Sequence, residues 1–203
     1  INRNNSHTNG NERTFYVGNN FRTLVKYNLS AVPMGTIKSA KLELQSFSSG
    51  EKLYPMKAYR VTQEWLEMEA NWDEAKIDRE WAQHGGSYDQ SSGVPADIVR
   101  NEYDMYYYAT FDVTAMVNGW VNGAAQNDGL IICPYIEDPM SYSDSIFFHP
   151  KLTITYEADI TEPAINIISP AKDSSNTGTV NMEATATDTS GIKKVEFYVG
   201  GAL

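Results

Sequence analysis

The side chains best suited to chemistry in this 203-residue chain are its 26 acids and its 24 aromatic residues, beside only 3 histidines and 1 cysteine. The histidines His7, His84 and His149 are far apart in sequence, and neither a His-Glu-x-x-His nor a Gly-x-Ser-x-Gly motif occurs. A carboxylate pair for glycoside hydrolysis could be nominated anywhere among so many acids, so their number favours no particular site. The sequence therefore predicts that the protein is not an enzyme.

The aromatic residues of predicted loops carry a different signal, which is sugar binding. Pyranose rings stack on flat aromatic faces, while neighbouring polar side chains bond to the hydroxyls. The predicted carbohydrate contacts are Trp81, Tyr88, Arg100, Tyr103, Tyr106, Tyr107, Tyr135 and Tyr142. The densest group is 103–108, whose last residue we expect to begin a strand. Loop tyrosines also pack against sandwich edges for purely structural reasons, and that alternative stays open.

A calcium site is the one metal site that the composition allows. Ca²⁺ takes about six to eight oxygen ligands, and loop acids supply them in many sandwich domains. The acids in predicted loops are Asp89, Asp97, Asp104, Asp138 and Asp144, but no Asp-x-Asp-x-Asp loop is present. A structural Ca²⁺ and solvated carboxylates remain the two alternatives, and no other cofactor is indicated.

The charge of the chain excludes some partners. The formal net charge is −10, and the first 157 residues, with 13 Lys and Arg against 20 Asp and Glu, carry −7 of it. An acidic surface without a basic cluster argues against nucleic acid, and no apolar run reaches the roughly 20 residues of a membrane span. The lone Cys133 permits no intrachain disulfide and is expected to be a buried hydrophobe.

Short runs of alternating apolar and polar residues predict antiparallel strands with one buried face. The clearest runs are 25–29, 40–45 and 152–156, and turn-forming residues separate them. Val113, Val117 and Trp120 instead fall at helical spacing, with Asp112 or Thr114 as the expected cap. The acidic stretch 65–81 is less regular, and we expect at most a helical turn there. The sequence thus predicts an all-β fold, an antiparallel jelly-roll-like β-sandwich with one short helix.

Nine short motifs, in order, resemble the DNRLRE-domain family of secreted bacterial and archaeal proteins. They begin at Arg22-Thr23-Leu24-Val25-Lys26-Tyr27-Asn28-Leu29-Ser30 and continue through 33–44, 59–65, Asn71-Trp72, 85–89, 111–114, 117–123, 127–130 and 150–156. The resemblance implies a non-catalytic surface module, some members being carbohydrate-binding modules that recognise alginate. It also implies framework roles for Trp65, Trp72 and Trp120.

A second domain is expected behind the first. Alternation at 180–186 and the run Val195-Glu196-Phe197-Tyr198-Val199 resemble the first strands of a bacterial immunoglobulin-like domain. We therefore divide the chain into a sandwich module at 1–157, a linker at 158–163 and an incomplete immunoglobulin-like sandwich at 164–203. Both ends lack part of the pattern of their domain, so we expect the chain to be a piece of a longer protein. We also expect that the chain itself does not cover the apolar side chains of its last segment.

The function predicted from these features is a secreted or cell-surface, non-catalytic module that binds polysaccharide of an extracellular matrix or cell wall. A negative domain repels a polyanion, so a neutral or mixed chain is at least as plausible as one that contains uronic acid. The alternative is a structural subunit of a surface layer, sheath or filament, held by other surface-protein domains or copies of itself. Neither nucleic acid nor membrane insertion is expected.

Overall fold

A computed structural model describes residues 1–4, 13–18, 20–47, 53, 55–103, 106–134, 145–158, 160–189, 191–192 and 194–200. Its elements are β1 (Phe15–Val17), β2 (Thr23–Val25), β3 (Gly35–Phe47), β4 (Met56–Val61), β5 (Glu74–Lys76), β6 (Arg79–Glu80), β7 (Tyr88–Pro95), β8 (Asp97–Arg100), β9 (Tyr106–Asp112), α1 (Thr114–Val121), β10 (Leu130–Pro134), β11 (Ser145–Ala158), β12 (Ala164–Ser169) and β13 (Glu183–Thr187). The all-β class, with antiparallel sheets and one short helix, is confirmed.

Two antiparallel sheets form the body of the molecule. The first sheet has the strand order β1-β11-β3-β9-β8, and the second has the order β2-β10-β4-β7. Alternation along β3 and β9 turns Leu42, Leu44 and Phe111 inward, where they are fully buried. They share one apolar cluster with Met56 of β4 and Leu130 of β10. The two sheets therefore face each other across a common core, as in a β-sandwich.

The excursion between β4 and β7 covers the outer face of the second sheet. It contains the small β5–β6 hairpin and one turn, closed where the Ala70 N–H donates to the Leu66 carbonyl at 2.8 Å. Trp65 and Trp81 from this excursion pack with Ile131 and Cys133 of β10 in a second apolar cluster. We call this surface the covered face. Cys133 is 3% exposed, as expected for a small buried hydrophobe.

The predicted helix is present as α1, although neither expected residue occupies the N-cap position. That position is held by Val113, and no side chain caps the helix there. Asp112 instead accepts hydrogen bonds from the Thr114 N–H at 3.1 Å and the Thr114 hydroxyl at 2.5 Å. The Thr114 hydroxyl oxygen in turn accepts the Ala40 N–H at 2.9 Å, so this polar chain ties the start of α1 to β3.

Two predicted strands are shorter than the alternation suggested. Strand β2 ends at Val25, and Tyr27 and Leu29 pack against the core from irregular backbone. The run 195–199 is not a regular strand in the described structure, where β12 pairs with β13 alone. An alternating sequence does not by itself make a ladder, which also needs hydrogen bonds to a neighbouring strand.

The last segment exposes its apolar side chains, as expected from the sequence. Ile165 is 66% exposed, Val195 47%, Val180 39% and Phe197 36%. Their counterparts in the sandwich, such as Leu42 and Phe111, are fully buried. In the described part of the chain, no helix is both long and apolar enough to span a membrane.

Candidate functional site

A groove runs along the edge of the sandwich, where β1 and β2 are the outermost of the described strands of their sheets. A cleft of about 330 Å³ is lined by Phe15 and Tyr16 of β1, by Phe21, Thr23 and Leu24, and by Trp65. A larger cleft of about 1170 Å³ continues along residues 24–30 and reaches the end of α1. Leu24, Trp65 and Glu67 line both clefts, which are therefore adjoining parts of one depression. We call it the edge groove.

The length of the edge groove follows from the segment that borders it. Residues 21–29 line one or other cleft almost without interruption. Nine residues of extended backbone span at most about 30 Å. Two adjoining clefts along one segment suit an elongated ligand better than a single small ring.

Two aromatic residues that line the large cleft have buried polar atoms. Tyr27 and Trp120 are each partly exposed, yet the Tyr27 hydroxyl and the Trp120 Nε1 are buried. Neither polar atom has a hydrogen-bond partner within the described part of the chain. Any side-chain surface that these two residues present to the cleft is therefore apolar, which is the kind of surface on which a sugar ring stacks.

Burial also changes the acidity of Tyr27. The loss of solvation raises the pKa of its phenol from 10.0 to about 12. The Asn127 amide fixes the backbone here by donating to the Tyr27 carbonyl at 2.9 Å. Tyr27 is therefore a neutral side chain at any physiological pH, held in place by its main chain.

Trp65 lines both clefts at the point where they adjoin. It is 8% exposed, and its indole Nε1 donates to the Asp128 carbonyl at 2.7 Å. This bond joins the excursion to the turn that precedes β10. The framework role implied by the family resemblance agrees with this burial, and the small exposed part of the residue borders the groove.

Of the predicted sugar contacts, Trp81 requires a correction. It does not lie in an exposed loop: it is 3% exposed and belongs to the covered face. Its Nε1 donates to the Asn71 carbonyl at 2.9 Å, so its polar atom is also satisfied internally. Because no ring face is open, Trp81 cannot stack on a sugar in this structure.

Tyr88 lies in a chain of stacked side chains at the covered face. Its ring centroid is 4.8 Å from that of Tyr59, and the Arg22 guanidinium carbon lies 5.7 Å from it. Arg22 also lies 4.8 Å from the centroid of Trp72, and its Nη1 donates to the Gly85 carbonyl at 2.9 Å. This geometry is typical of cation–π packing, and it gives Tyr88 a structural contact of its own.

Four other predicted contacts lie on the hairpin formed by β8 and β9, although the adjacent residues Tyr106 and Tyr107 of β9 point to opposite faces of the sheet. The Arg100 guanidinium carbon lies 5.8 Å from the Tyr107 ring centroid, and Tyr103 is 100% exposed. Tyr106 meets Phe148 of β11 edge to face, with centroids 6.3 Å apart. We call Arg100, Tyr103, Tyr106 and Tyr107 the hairpin cluster. Tyr135 and Tyr142 lie outside the described residues.

No metal centre emerges from the described part of the chain, where no group of three or more His, Cys, Asp or Glu side chains is placed to hold an ion. Asp89 is instead engaged by Ser91 and Arg60. Its carboxylate accepts the Ser91 hydroxyl at 2.6 Å and the Arg60 guanidinium at 3.0 Å, and these bonds hold its pKa below the usual value. Asp104, Asp138 and Asp144 lie outside the described residues.

Sequence reasoning missed the edge groove because its residues come from distant parts of the chain. Tyr27 and Trp120 are 93 positions apart, and each had a sufficient explanation as a framework residue. The available signal was indirect: the alternating run at 25–29 continued beyond its strand and was followed by the turn-forming residues Pro33 and Gly35.

The fold defines a class, an antiparallel β-sandwich, which here has an aromatic-lined groove at its edge. The model for carbohydrate-binding module family 96 matches residues 2–156, and the chain belongs to this family. A bacterial Ig domain model matches residues 163–203. The expected order of the two domains is confirmed, although the match does not carry the DNRLRE name. No curated protein and no solved structure matches the chain.

Proposed function

We propose that this chain is a non-catalytic module of an extracellular or surface protein, and that it attaches that protein to polysaccharide of a matrix or cell wall through the edge groove. The observation that carries the proposal is the apolar ring surface of Tyr27 and Trp120 inside an elongated cleft. Family membership supports the same ligand class. We propose that the chain has three units, which are the sandwich module at 1–157, the linker at 158–163 and the immunoglobulin-like segment at 164–203.

The hairpin cluster is the competing location for the same function, since four of the residues predicted from the sequence lie on this one hairpin. Neither cleft of the edge groove reaches it, and Tyr107 packs partly against the sandwich core. Tyr103, in contrast, offers a fully exposed ring. Exposed tyrosines bind sugars in the absence of a cleft, so mutagenesis has to separate the two surfaces.

Affinity electrophoresis with immobilised galactomannan, xyloglucan, mixed-linkage β-glucan, alginate and polygalacturonate, with Ca²⁺ and with EDTA, tests the proposal. The whole chain is expected to be retarded by at least one polymer. Ser30→Trp adds bulk at an exposed position of the large cleft. This variant and Trp120→Ala are each expected to weaken the affinity measured by retardation about tenfold or more. Tyr103→Ala serves as the matched aromatic control and should bind like the parent.

Two results would count against this assignment. If Tyr103→Ala and Arg100→Ala lost binding while Ser30→Trp bound like the parent, the site would lie at the hairpin cluster instead. No retardation by any polymer would contradict polysaccharide binding itself. Because Trp120→Ala removes a partly buried ring, its thermal unfolding is compared with that of the parent before its binding is interpreted.

A second role is favoured by the exposed apolar side chains of the immunoglobulin-like segment. Ile165 and Ile167 lie on one side of β12, and each is more than 60% exposed. Such side chains and the open edges of a two-stranded sheet favour contact with another strand or sheet. We propose that copies of the chain associate through this segment, as in a surface-layer or filament subunit. A concentration-independent monomer mass by analytical ultracentrifugation would contradict it.

A further inference from the structure

The charge of the edge groove distinguishes between classes of polysaccharide. The charged side chains that line its two clefts are Lys26 and Glu67, one of each sign and both exposed. The remaining lining side chains are apolar, aromatic, amide or hydroxyl groups. The groove is thus close to neutral, although the surrounding 157 residues carry a net charge of −7.

Recognition of a carboxylate or sulfate ester usually relies on arginine, whose guanidinium donates two parallel hydrogen bonds to an oxyanion. Among the described residues, no arginine lines either cleft. Arg22 interrupts the run of lining residues 21–24, and its guanidinium lies over Trp72 and Tyr88 instead. Arg3 is also directed to Trp72, at 5.9 Å from its ring centroid. These two guanidinium groups therefore stack on aromatic rings of the covered face.

Groups suited to uncharged hydroxyls are present at the rim of the large cleft. The Asn28 side chain is exposed, with its Oδ1 accepting the Ser30 N–H at 2.9 Å, and the Ser30 hydroxyl lies beside it. An amide and a hydroxyl both donate and accept hydrogen bonds, which matches the hydroxyls of a neutral sugar. The aromatic floor supplies stacking, which also needs no charge.

We infer that the edge groove selects uncharged polysaccharide, a hydroxyl-bearing chain without uronic acid or sulfate esters. The inference rests on the proposed function of the same groove. A polyanion entering it meets the Glu67 carboxylate and the negative field of the module, and within the described lining Lys26 is the one compensating side chain. A neutral chain meets no such repulsion.

The test measures affinities of the whole chain for galactomannan, xyloglucan and polygalacturonate by isothermal titration calorimetry at low and high NaCl. At least one neutral polymer is expected to bind with an affinity that changes less than about twofold with salt, since no ion pair is screened. Polygalacturonate is expected to bind about tenfold more weakly or worse at low salt. Glu67→Gln should narrow that gap by tightening polygalacturonate binding, while Lys26→Gln should widen it by weakening polygalacturonate binding further.

Failure of this inference differs from failure of the proposed function. The neutral class would be overturned if polygalacturonate bound more tightly than either neutral polymer and if salt and Lys26→Gln weakened that binding. If Ser30→Trp also abolished the binding, the groove would remain the polysaccharide site. Absence of binding to all three polymers would overturn the proposed function, and the inference with it.

Discussion

The covered face and the edge groove use the same residue types in opposite ways. On the covered face, Trp81 is buried and its indole N–H is satisfied by a backbone carbonyl. In the edge groove, Trp120 shows part of its ring to solvent while its N–H is buried without a partner in the described structure. The first arrangement stabilises the fold. The second leaves apolar ring surface available and carries an unsatisfied polar group.

This contrast shows that the number of aromatic residues does not identify a sugar site, whereas their exposure and their hydrogen bonds do. An indole that is buried and hydrogen-bonded adds to the core, and replacing it removes both packing and a bond. A partly exposed ring with an unsatisfied polar atom contributes less to stability. The two surfaces are therefore expected to respond differently to equivalent substitutions.

The largest effect is expected on the covered face. Trp81→Ala should lower the free energy of unfolding by about 3–5 kcal/mol, the usual cost of emptying a buried aromatic site. Chemical denaturation followed by circular dichroism measures it. Tyr103→Ala, at a fully exposed position, should stay within about 0.5 kcal/mol of the parent. Equal effects of the two substitutions would mean that Trp81 is not a core residue.

Gly85 provides the next test of how tightly the covered face is packed. Its φ is +80°, and a Cβ there would lie 2.7 Å from both Arg22 Nη1 and Trp72 Cζ2. Gly85→Ala should therefore cost about 2 kcal/mol or more, from backbone strain and from displacement of the stacked pair. Thermal unfolding gives the value.

Gly119 in α1 is the matched control for that substitution, because a Cβ there would meet nothing within 4 Å. Gly119→Ala should raise stability by about 0.5–1 kcal/mol, since alanine is the better helix former. A stabilising Gly85→Ala would show that the Arg22–Trp72 stack is not tightly packed against the backbone.

Tyr27→Phe tests the unsatisfied group of the edge groove. Removal of a buried hydroxyl without a partner should leave stability unchanged or raise it by up to about 1 kcal/mol. The parent should also lose stability between pH 10 and about pH 12, because the unfolded phenol ionises there while the folded one, with its raised pKa, does not. The difference between the two unfolding curves against pH isolates Tyr27 from the other tyrosines. A marked loss of stability in Tyr27→Phe at neutral pH would contradict this picture.

The smallest expected effect concerns α1, the helix that carries Trp120 to the groove. The Thr114 hydroxyl and then its backbone N–H donate to Asp112 and lower the pKa of that carboxyl. The stabilisation is present above the unfolded pKa near 3.8 and is lost as the pH falls through the lower folded value. Asp112→Asn should therefore cost a modest amount at pH 7 and less at pH 2. A cost independent of pH would contradict the role of the charge.

Local sequence patterns were sufficient for the elements whose contacts repeat along the chain. The alternation of Leu42 and Leu44 predicted β3, and the spacing of Val113 to Trp120 predicted α1. The burial of Trp81 could not be predicted in this way. It depends on the excursion 62–87 folding back over the second sheet, and its acidic, irregular sequence is typical of an exposed loop.

The edge groove was beyond local patterns for a related reason. Among the described strands, β2 is the last of its sheet, and the sequence of β2 does not specify what lies next to it. Tyr27 and Trp120 also serve the core through part of their rings. A residue with two roles shows only the structural one in its sequence pattern.

The most direct test of the central claim uses the indole N–H resonances of ¹⁵N-tryptophan-labelled protein, assigned by Trp→Phe variants. The chain is titrated with a hexasaccharide cut from the polymer of the electrophoresis panel that binds most tightly. The resonances of Trp120 and, to a smaller extent, Trp65 are expected to shift in proportion to occupancy, while that of Trp81 stays in place. Binding that leaves Trp120 and Trp65 unchanged, with backbone amide shifts confined to Tyr103, Tyr106 and Tyr107, would contradict the edge groove as the binding site.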